Sequence, residues 1–289
     1  MKLDIDIKKL TELVKDTFLN QDKYKMDLMI KEFDGADFFF FYIFEARGEE
    51  APRFYFITSP YDDISKGAPQ GAQVFDGGEL VLQLDYTEYV KVRTGLMDAL
   101  ALDALSKDPS GKKVLYIGAG GVAEWSLRAL KAYYPSLNSV DYTNTSGGKE
   151  VFEQVGQEVG VETVYQAAPD LGSYDFILMH TNAHEPVLQA SDIKNLKSDV
   201  FISLYGDKRE ADIEVYKDAT VVINWAESFE KQGDLVEAVK AGLVEVDEAT
   251  VLTDLLNSDK NIETKGKVVY RSGGTPMQNI AVLKYLMNK

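Results

Sequence analysis

The stretch Lys112-Lys113-Val114-Leu115-Tyr116-Ile117-Gly118-Ala119-Gly120-Gly121-Val122-Ala123-Glu124-Trp125 decides the fold. A short, β-favouring apolar run ends in Gly-x-Gly-x-x-Ala, and a helical spacing (Leu127, Leu130, Tyr133, Tyr134) follows at once. The fingerprint has meaning only in that order of strand, tight turn and helix start. Gly118 can take turn conformations that a Cβ forbids, and Gly120 lets the backbone approach a pyrophosphate closely. Ala123 keeps helix and strand packed together. Ala119 completes the loop, and Gly121 and Val122 open the helical turn whose free N–H groups face phosphates. The alternative is a glycine-rich turn in an ordinary α/β unit. The flanking strand and helix favour a dinucleotide site.

Outward from this point the two halves of the chain read differently. Downstream, strands at Val114–Ile117, Ser139–Thr143, Glu162–Tyr165, Asp175–His180, Val200–Leu204 and Thr220–Asn224 alternate with helical segments. That rhythm predicts a parallel, doubly wound sheet of the Rossmann type. Val268–Tyr270 and a helix over Met277–Met287 close the chain. Upstream, residues 1 to about 20 carry Leu10, Leu13, Val14 and Phe18 on one helical stripe. Strands follow at 24–30, Phe38–Phe44, Phe54–Thr58 and, after Gly77-Gly78, Glu79–Asp85, with no interleaved helix. This is an antiparallel pattern. A helix over Thr94–Leu105 ends at Asp108-Pro109-Ser110-Gly111, which reads as a domain junction. The aromatic run at Phe38–Phe44 fits either a subunit interface or the small domain's own core.

Composition narrows the function. A formal net charge of −16 opposes binding to a phosphate backbone, so nucleic acid and anionic membranes are discounted. There is no cysteine, which removes disulfides, thiolate nucleophiles and cysteine-based zinc sites. His180 and His184 are the only histidines, too few for a metal site, and no metal is expected. No apolar run approaches the ~20 residues of a membrane helix, and the first residues lack a signal-peptide core. A cytoplasmic protein is expected.

Several strand ends carry candidate chemistry. At the tip of the second strand, where an acid usually holds the ribose 2′-hydroxyl, the chain places Asn144, Thr145 and Ser146 with Lys149 close behind. A hydroxyl-and-Lys cluster suits a 2′-phosphate, which leans towards NADP over NAD; an Asx/Ser turn fits equally well. Thr181 and Asn182 close the fourth strand and are candidates for ribose or nicotinamide contacts. The flanking histidines belong to the residue type best suited to acid–base work near neutral pH, but a histidine at a strand end more often serves only as a hydrogen-bonding group. Asp207 follows the fifth strand, either as a general base or as a helix cap. Arg93 precedes the junction helix, either as a bidentate carboxylate ligand or in an inter-domain ion pair.

The run Arg93-Thr94-Gly95-Leu96-Met97-Asp98-Ala99 followed by Gly118-Ala119-Gly120-Gly121-Val122-Ala123 resembles the ornithine cyclodeaminase/mu-crystallin family. Thr181, Gly206-Asp207, Glu210, Glu227, Gly233-Asp234-Leu235 and Gly242 continue the resemblance, as does Ser272-x-Gly274 before Gln278-Asn279. It implies an α+β substrate and dimerisation domain (1–107 with 271–289) around a Rossmann domain (108–270), and a homodimer. It implies hydride transfer between NAD(P) and the Cα–N bond of a small amino or imino acid, as in ornithine cyclodeaminases, alanine dehydrogenases and ketimine reductases. By the same resemblance Arg93 binds the substrate carboxylate, Asp207 handles protons at the amine, and Ser272 and Gly274 contact the cofactor. The family's substrate-binding Lys has no clear counterpart, and Arg53 and Lys66 are the nearest cations. The alternative within the resemblance is a non-catalytic NAD(P)-binding protein of the mu-crystallin type.

Overall fold

The structure is a computed structural model that describes residues 5–33, 36–47, 50–60, 71–145, 147–181, 183, 185–205, 209–226, 228–231, 233–257, 264 and 266–288. The chain forms two compact units, Met1–Thr94 with Thr275–Lys289, and Gly95–Gly274.

In the first unit, helix α1 (Ile7–Leu19) starts at Asp6, whose side chain accepts the N–H of Lys9. Its stripe of Leu10, Val14 and Phe18 is buried, and it packs against the C-terminal helix, Pro276–Met287. The backbone N–H of Asp6 donates to Tyr285 Oη at 2.8 Å, tying the two helices together. Between them in the chain lie β1 (Tyr24–Phe33), β2 (Ala36–Arg47), β3 (Glu50–Pro60), β4 (Gly71–Asp76) and β5 (Glu79–Asp85). These pair antiparallel in chain order as one sheet. Alternation sets its two faces. Ile43, Tyr55 and Val74 lie side by side in register and are buried, as are Ile57 and Ala72. The opposite row through Phe54, Phe75 and Leu80 leaves Phe54 46% and Leu80 49% exposed. In the Phe38–Phe44 run only the Ile43 side chain falls within the described residues.

Helix α2 (Tyr86–Ala104) carries the chain from the first unit into the second. The second unit contains β6 (Val114–Ile117), α3 (Gly121–Tyr133), β7 (Ser139–Thr143), α4 (Lys149–Val159), β8 (Glu162–Tyr165), β9 (Phe176–Met179), α5 (Ala190–Ile193) and β10 (Phe201–Tyr205). It continues through β11 (Thr220–Ile223), α6 (Ser228–Lys231), α7 (Gly233–Lys240), β12 (Thr250–Val251), α8 (Leu252–Asn257) and β13 (Val268–Ser272). All eight strands are parallel, in the order β12-β11-β13-β10-β9-β6-β7-β8. Every residue of β6, β9, β10 and β13 is buried, as expected for strands covered on both faces. The chain runs outward through β6, β7 and β8, then crosses back to β9 on the other side of β6. The switch point where a doubly wound sheet binds ligands therefore lies between the carboxyl ends of β6 and β9.

The units divide earlier than the Asp108–Gly111 junction because α2 is built into the second unit from Gly95 onward. A Cβ on Gly95 would lie 2.6 Å from Trp125 Cβ and 2.7 Å from the Ser126 N, so α2 and α3 touch at backbone distance there. The second division falls after residue 270 because β13 stays in the sheet to Ser272. No described helix is long and apolar enough to cross a membrane.

Candidate active site

At the β6–β9 switch point lies a cavity of about 480 Å³, lined by Gly118, Ala119, Gly120, Thr143, Asn144, Thr145, His180 and Thr181 among others. This is the size range of small-molecule and cofactor sites. Its floor is the fingerprint turn. Gly118 has φ +103°, and its N–H donates to the Thr143 carbonyl at 2.9 Å. A Cβ there would collide with the His180 carbonyl, so two reasons independently demand glycine. Gly148, with φ +108°, is constrained in the same way: its Cβ would lie 2.5 Å from the Ala119 carbonyl oxygen.

Gly120 is different. A Cβ there would meet nothing within 4 Å, so the protein itself leaves this space open. Gly120 is also the N-cap of α3, and no side chain caps the helix. The N–H groups of Gly121, Val122 and Ala123, three of the four that begin a helix without an intrahelical partner, thus open the helix where the cradle is open. The residues fit the pyrophosphate of a dinucleotide.

At the β7 tip, Asn144 Nδ2 donates to the Gly147 carbonyl at 3.0 Å. Asp141 accepts from Tyr174 Oη at 2.6 Å and Gln166 Nε2 at 3.2 Å, placing it in structural duty within the strand. Lys149 lies over the Tyr165 ring, 4.5 Å from its centroid, and 4.0 Å from Glu153.

Behind the cavity wall sits a buried polar cluster. Asp98, on α2, accepts from Ser203 Oγ at 2.6 Å, Tyr205 Oη at 2.8 Å and Ser126 Oγ, and lies 2.9 Å from His180 Nε2. The His180 ring lies between Tyr116 and Tyr205, with centroids 5.7 and 4.7 Å away. Burial pushes the Asp98 carboxyl up, but the charge of His180 and the hydrogen bonds from His180, Ser126 and Ser203 outweigh it and hold the group below its ordinary value. The His180 imidazole is therefore a structural pillar whose backbone carbonyl abuts Gly118.

Glu210 organises the neighbouring strand end. Its carboxylate accepts from the Thr181 N–H and Oγ1, each at 2.8 Å, and from the Tyr205 N–H at 2.5 Å. Burial pushes its pKa up to about 7, partly offset by Arg271 and by these donors. Arg271 in turn pairs with Asp234 at 2.9 Å, both side chains fully buried. At the end of β11, Asn224 grips Gly273 in both directions: Nδ2 donates to its carbonyl at 2.5 Å, and Oδ1 accepts its N–H at 3.2 Å. That amide extends the ladder past the last β11–β13 pair and fixes the segment between Ser272, which is buried, and Gly274, which is exposed.

In the first unit, Arg93 is 7% exposed and Nη1 donates to Gln278 Oε1 at 2.9 Å. Arg53 is ion-paired with Asp76, its direct cross-strand neighbour, at 2.5 Å. Lys284 of the C-terminal helix bonds Glu45 at 2.8 Å and Tyr24 Oη at 3.0 Å. Asp207, Ser146, Asn182, His184 and Lys66 lie outside the described residues. Gly118, Ala119, Gly120, Asn144, Thr145 and Thr181 thus line one cavity, with Gly121, Val122 and Ala123 in the helical turn that follows Gly120, whereas Arg53 is held in a cross-strand pair. Reading single motifs passed over Asp98, Gly148 and Asn224. Asp98 alone left a visible signal, an acid inside the apolar helical run Leu96-Met97-Asp98-Ala99-Leu100.

Comparison with known proteins agrees with this geometry. The chain is 25% identical over 210 residues to an alanine dehydrogenase of Archaeoglobus fulgidus, a match covering 70% of this chain and 63% of that protein. The fold is shared with Thermococcus litoralis Δ1-pyrroline-2-carboxylate reductase in complex with NADH and L-proline (TM-score 0.82, 20% identity, 98% of this chain and 93% of that one). It is shared also with an archaeal alanine dehydrogenase dimer with bound NAD (TM-score 0.79, 20% identity, 98% and 91%). Residues 74–289 match the sequence pattern of one family along three quarters of the chain. This protein belongs to the ornithine cyclodeaminase/mu-crystallin family.

Proposed function

We propose that this protein is a nicotinamide-dependent enzyme that transfers hydride at the Cα–N bond of a small amino or imino acid. The observation that carries the reading is the open cradle at Gly120, facing an uncapped helix N-terminus at the switch point of the sheet. The bound nicotinamide would supply or accept the hydride. The first turn of α3 holds the pyrophosphate, and Glu210 holds Thr181 against the cavity through both N–H and Oγ1. Arg93 binds the substrate carboxylate, and Asp207 exchanges a proton with the substrate nitrogen. Ser272 and Gly274, set by the Asn224 grip on Gly273, contact the cofactor.

The coenzyme we favour is NAD(H). Asn144 and Thr145 line the cavity, but Lys149, the cation of that cluster, is engaged by the Tyr165 ring instead of the β7 tip. The working form is a homodimer joined through the first unit, supported by the exposed apolar row through Phe54 and Leu80. Light scattering at micromolar concentration checks this, and a monomer refutes it.

The functional test is NADH oxidation with Δ1-pyrroline-2-carboxylate, or with 2-oxo acids and ammonium. Turnover that requires both coenzyme and a carboxylate substrate supports the enzyme. Tight NADH binding without turnover across the panel instead assigns the chain to the non-catalytic binding type.

A further inference from the structure

Arg93 is placed by an amide, and the identity of that partner has consequences. Gln278 occupies the first turn of the C-terminal helix, with Thr275 as N-cap accepting its backbone N–H at 3.4 Å and Pro276 opening the turn. Both side chains belong to the first unit, and both are buried. Gln278 Oε1 takes one Arg93 N–H at 2.9 Å. Its Nε2 is buried with no hydrogen-bond partner among the described residues. A buried donor left unpaired is costly, so such a group persists where something else completes it.

We propose that Gln278 is the positioning residue for Arg93 and the second donor to the same carboxylate: Oε1 orients the guanidinium, and Nε2 reaches the bound acid. This rests on the reading of Arg93 as the carboxylate ligand. The choice of amide over acid follows from electrostatics. A glutamate at 278 would pair with the guanidinium fork, neutralise it, and oppose an incoming anion. A glutamine takes one Arg93 N–H and adds no negative charge beside the guanidinium. The ligand class is a small organic acid held by two donors from α2 and the C-terminal helix.

The test compares wild type, Gln278→Glu and Gln278→Leu. The readouts are KM and kcat for Δ1-pyrroline-2-carboxylate, calorimetric Kd for pyrrole-2-carboxylate as a stable planar analogue, Kd for NADH, and a crystal structure of the Leu variant. Gln278→Glu should raise KM and the analogue Kd roughly tenfold to a hundredfold, the scale of one lost charge-assisted hydrogen bond, with kcat less affected and NADH affinity unchanged. A purely structural role predicts the opposite, because glutamate has nearly the same shape and gains an ion pair. In the Leu variant the guanidinium should leave its observed position and analogue affinity should fall. Wild-type KM in Gln278→Glu, an unmoved guanidinium with wild-type affinity in Gln278→Leu, or altered NADH affinity in either variant overturns the inference while leaving the reading of Arg93 intact. A wild type that binds NADH but neither carboxylate overturns that reading, and the inference with it.

Discussion

Glu210 should make the stability of the second unit depend on pH in a direction opposite to that of an ordinary salt-bridged acid. Its pKa is about 7, against an ordinary value of 4.5, because burial outweighs Arg271 and the Thr181 and Tyr205 donors. Between those values the folded chain holds a proton that the unfolded chain releases. The contribution is therefore most favourable below pH 4.5, declines as pH rises through 7, and is flat above. The whole gap corresponds to about 3 kcal/mol, most of which falls between pH 5 and 8. Glu210→Gln removes the titration. It keeps an acceptor for Thr181 but turns an N–H towards the Tyr205 N–H, at about 1–3 kcal/mol. Both tryptophans, Trp125 and Trp225, lie in the second unit, so urea unfolding followed by their fluorescence reports on it directly. Wild type minus variant should grow in favour of wild type by about 2–3 kcal/mol from pH 8 to pH 5. A difference independent of pH would refute the argument, since other titrating groups cancel in the subtraction.

Other perturbations follow from the same geometry. Gly118→Ala should destabilise the second unit by several kcal/mol, because it combines left-handed strain with a collision against the His180 carbonyl; a thermal melt matching wild type would count against the observed turn. Asp98→Ala strands the hydroxyls of Ser126, Ser203 and Tyr205 together with His180, and should cost upwards of about 4 kcal/mol in urea unfolding. Asp207→Asn should lower kcat roughly a hundredfold with little change in NADH affinity, which steady-state kinetics and a binding titration separate. Full activity in that variant would make Asp207 a helix cap, since Asn caps nearly as well.

What could be read from the chain depended on how local its cause was. β6, β7 and β8 lie at the expected positions: β6 is a short, continuous apolar run because it is buried throughout, whereas the partly buried β7 and β8 stand out by their β-branched and aromatic residues. β4 was missed because Gly71-Ala72-Gln73-Val74 presents only Ala72 and Val74 inward, a pattern too weak to stand out beside glycine and glutamine. The start of α2 was placed too late because β5 runs into it at Asp85-Tyr86 without a turn signal. The fingerprint was legible since strand, turn and helix adjoin in sequence. The Asp98–His180 pair and the Asn224–Gly273 grip were not, because each joins residues distant in the chain and no spacing rule connects them. Arg53 looked like a candidate substrate cation until the antiparallel register set it directly opposite Asp76.

The central claim is that the open space at Gly120 is reserved for a dinucleotide. Titration of NADH into wild type and Gly120→Val, followed by the change in nicotinamide fluorescence and paired with thermal melts, tests it most directly. The added side chain begins where the protein offers no obstacle, so its melting temperature should stay close to that of wild type. Its NADH affinity should fall by at least about a hundredfold, the loss of a few kcal/mol from overpacking against the pyrophosphate. Equal NADH affinity in the two proteins, or an affinity loss that merely follows a collapse in melting temperature, would contradict the account.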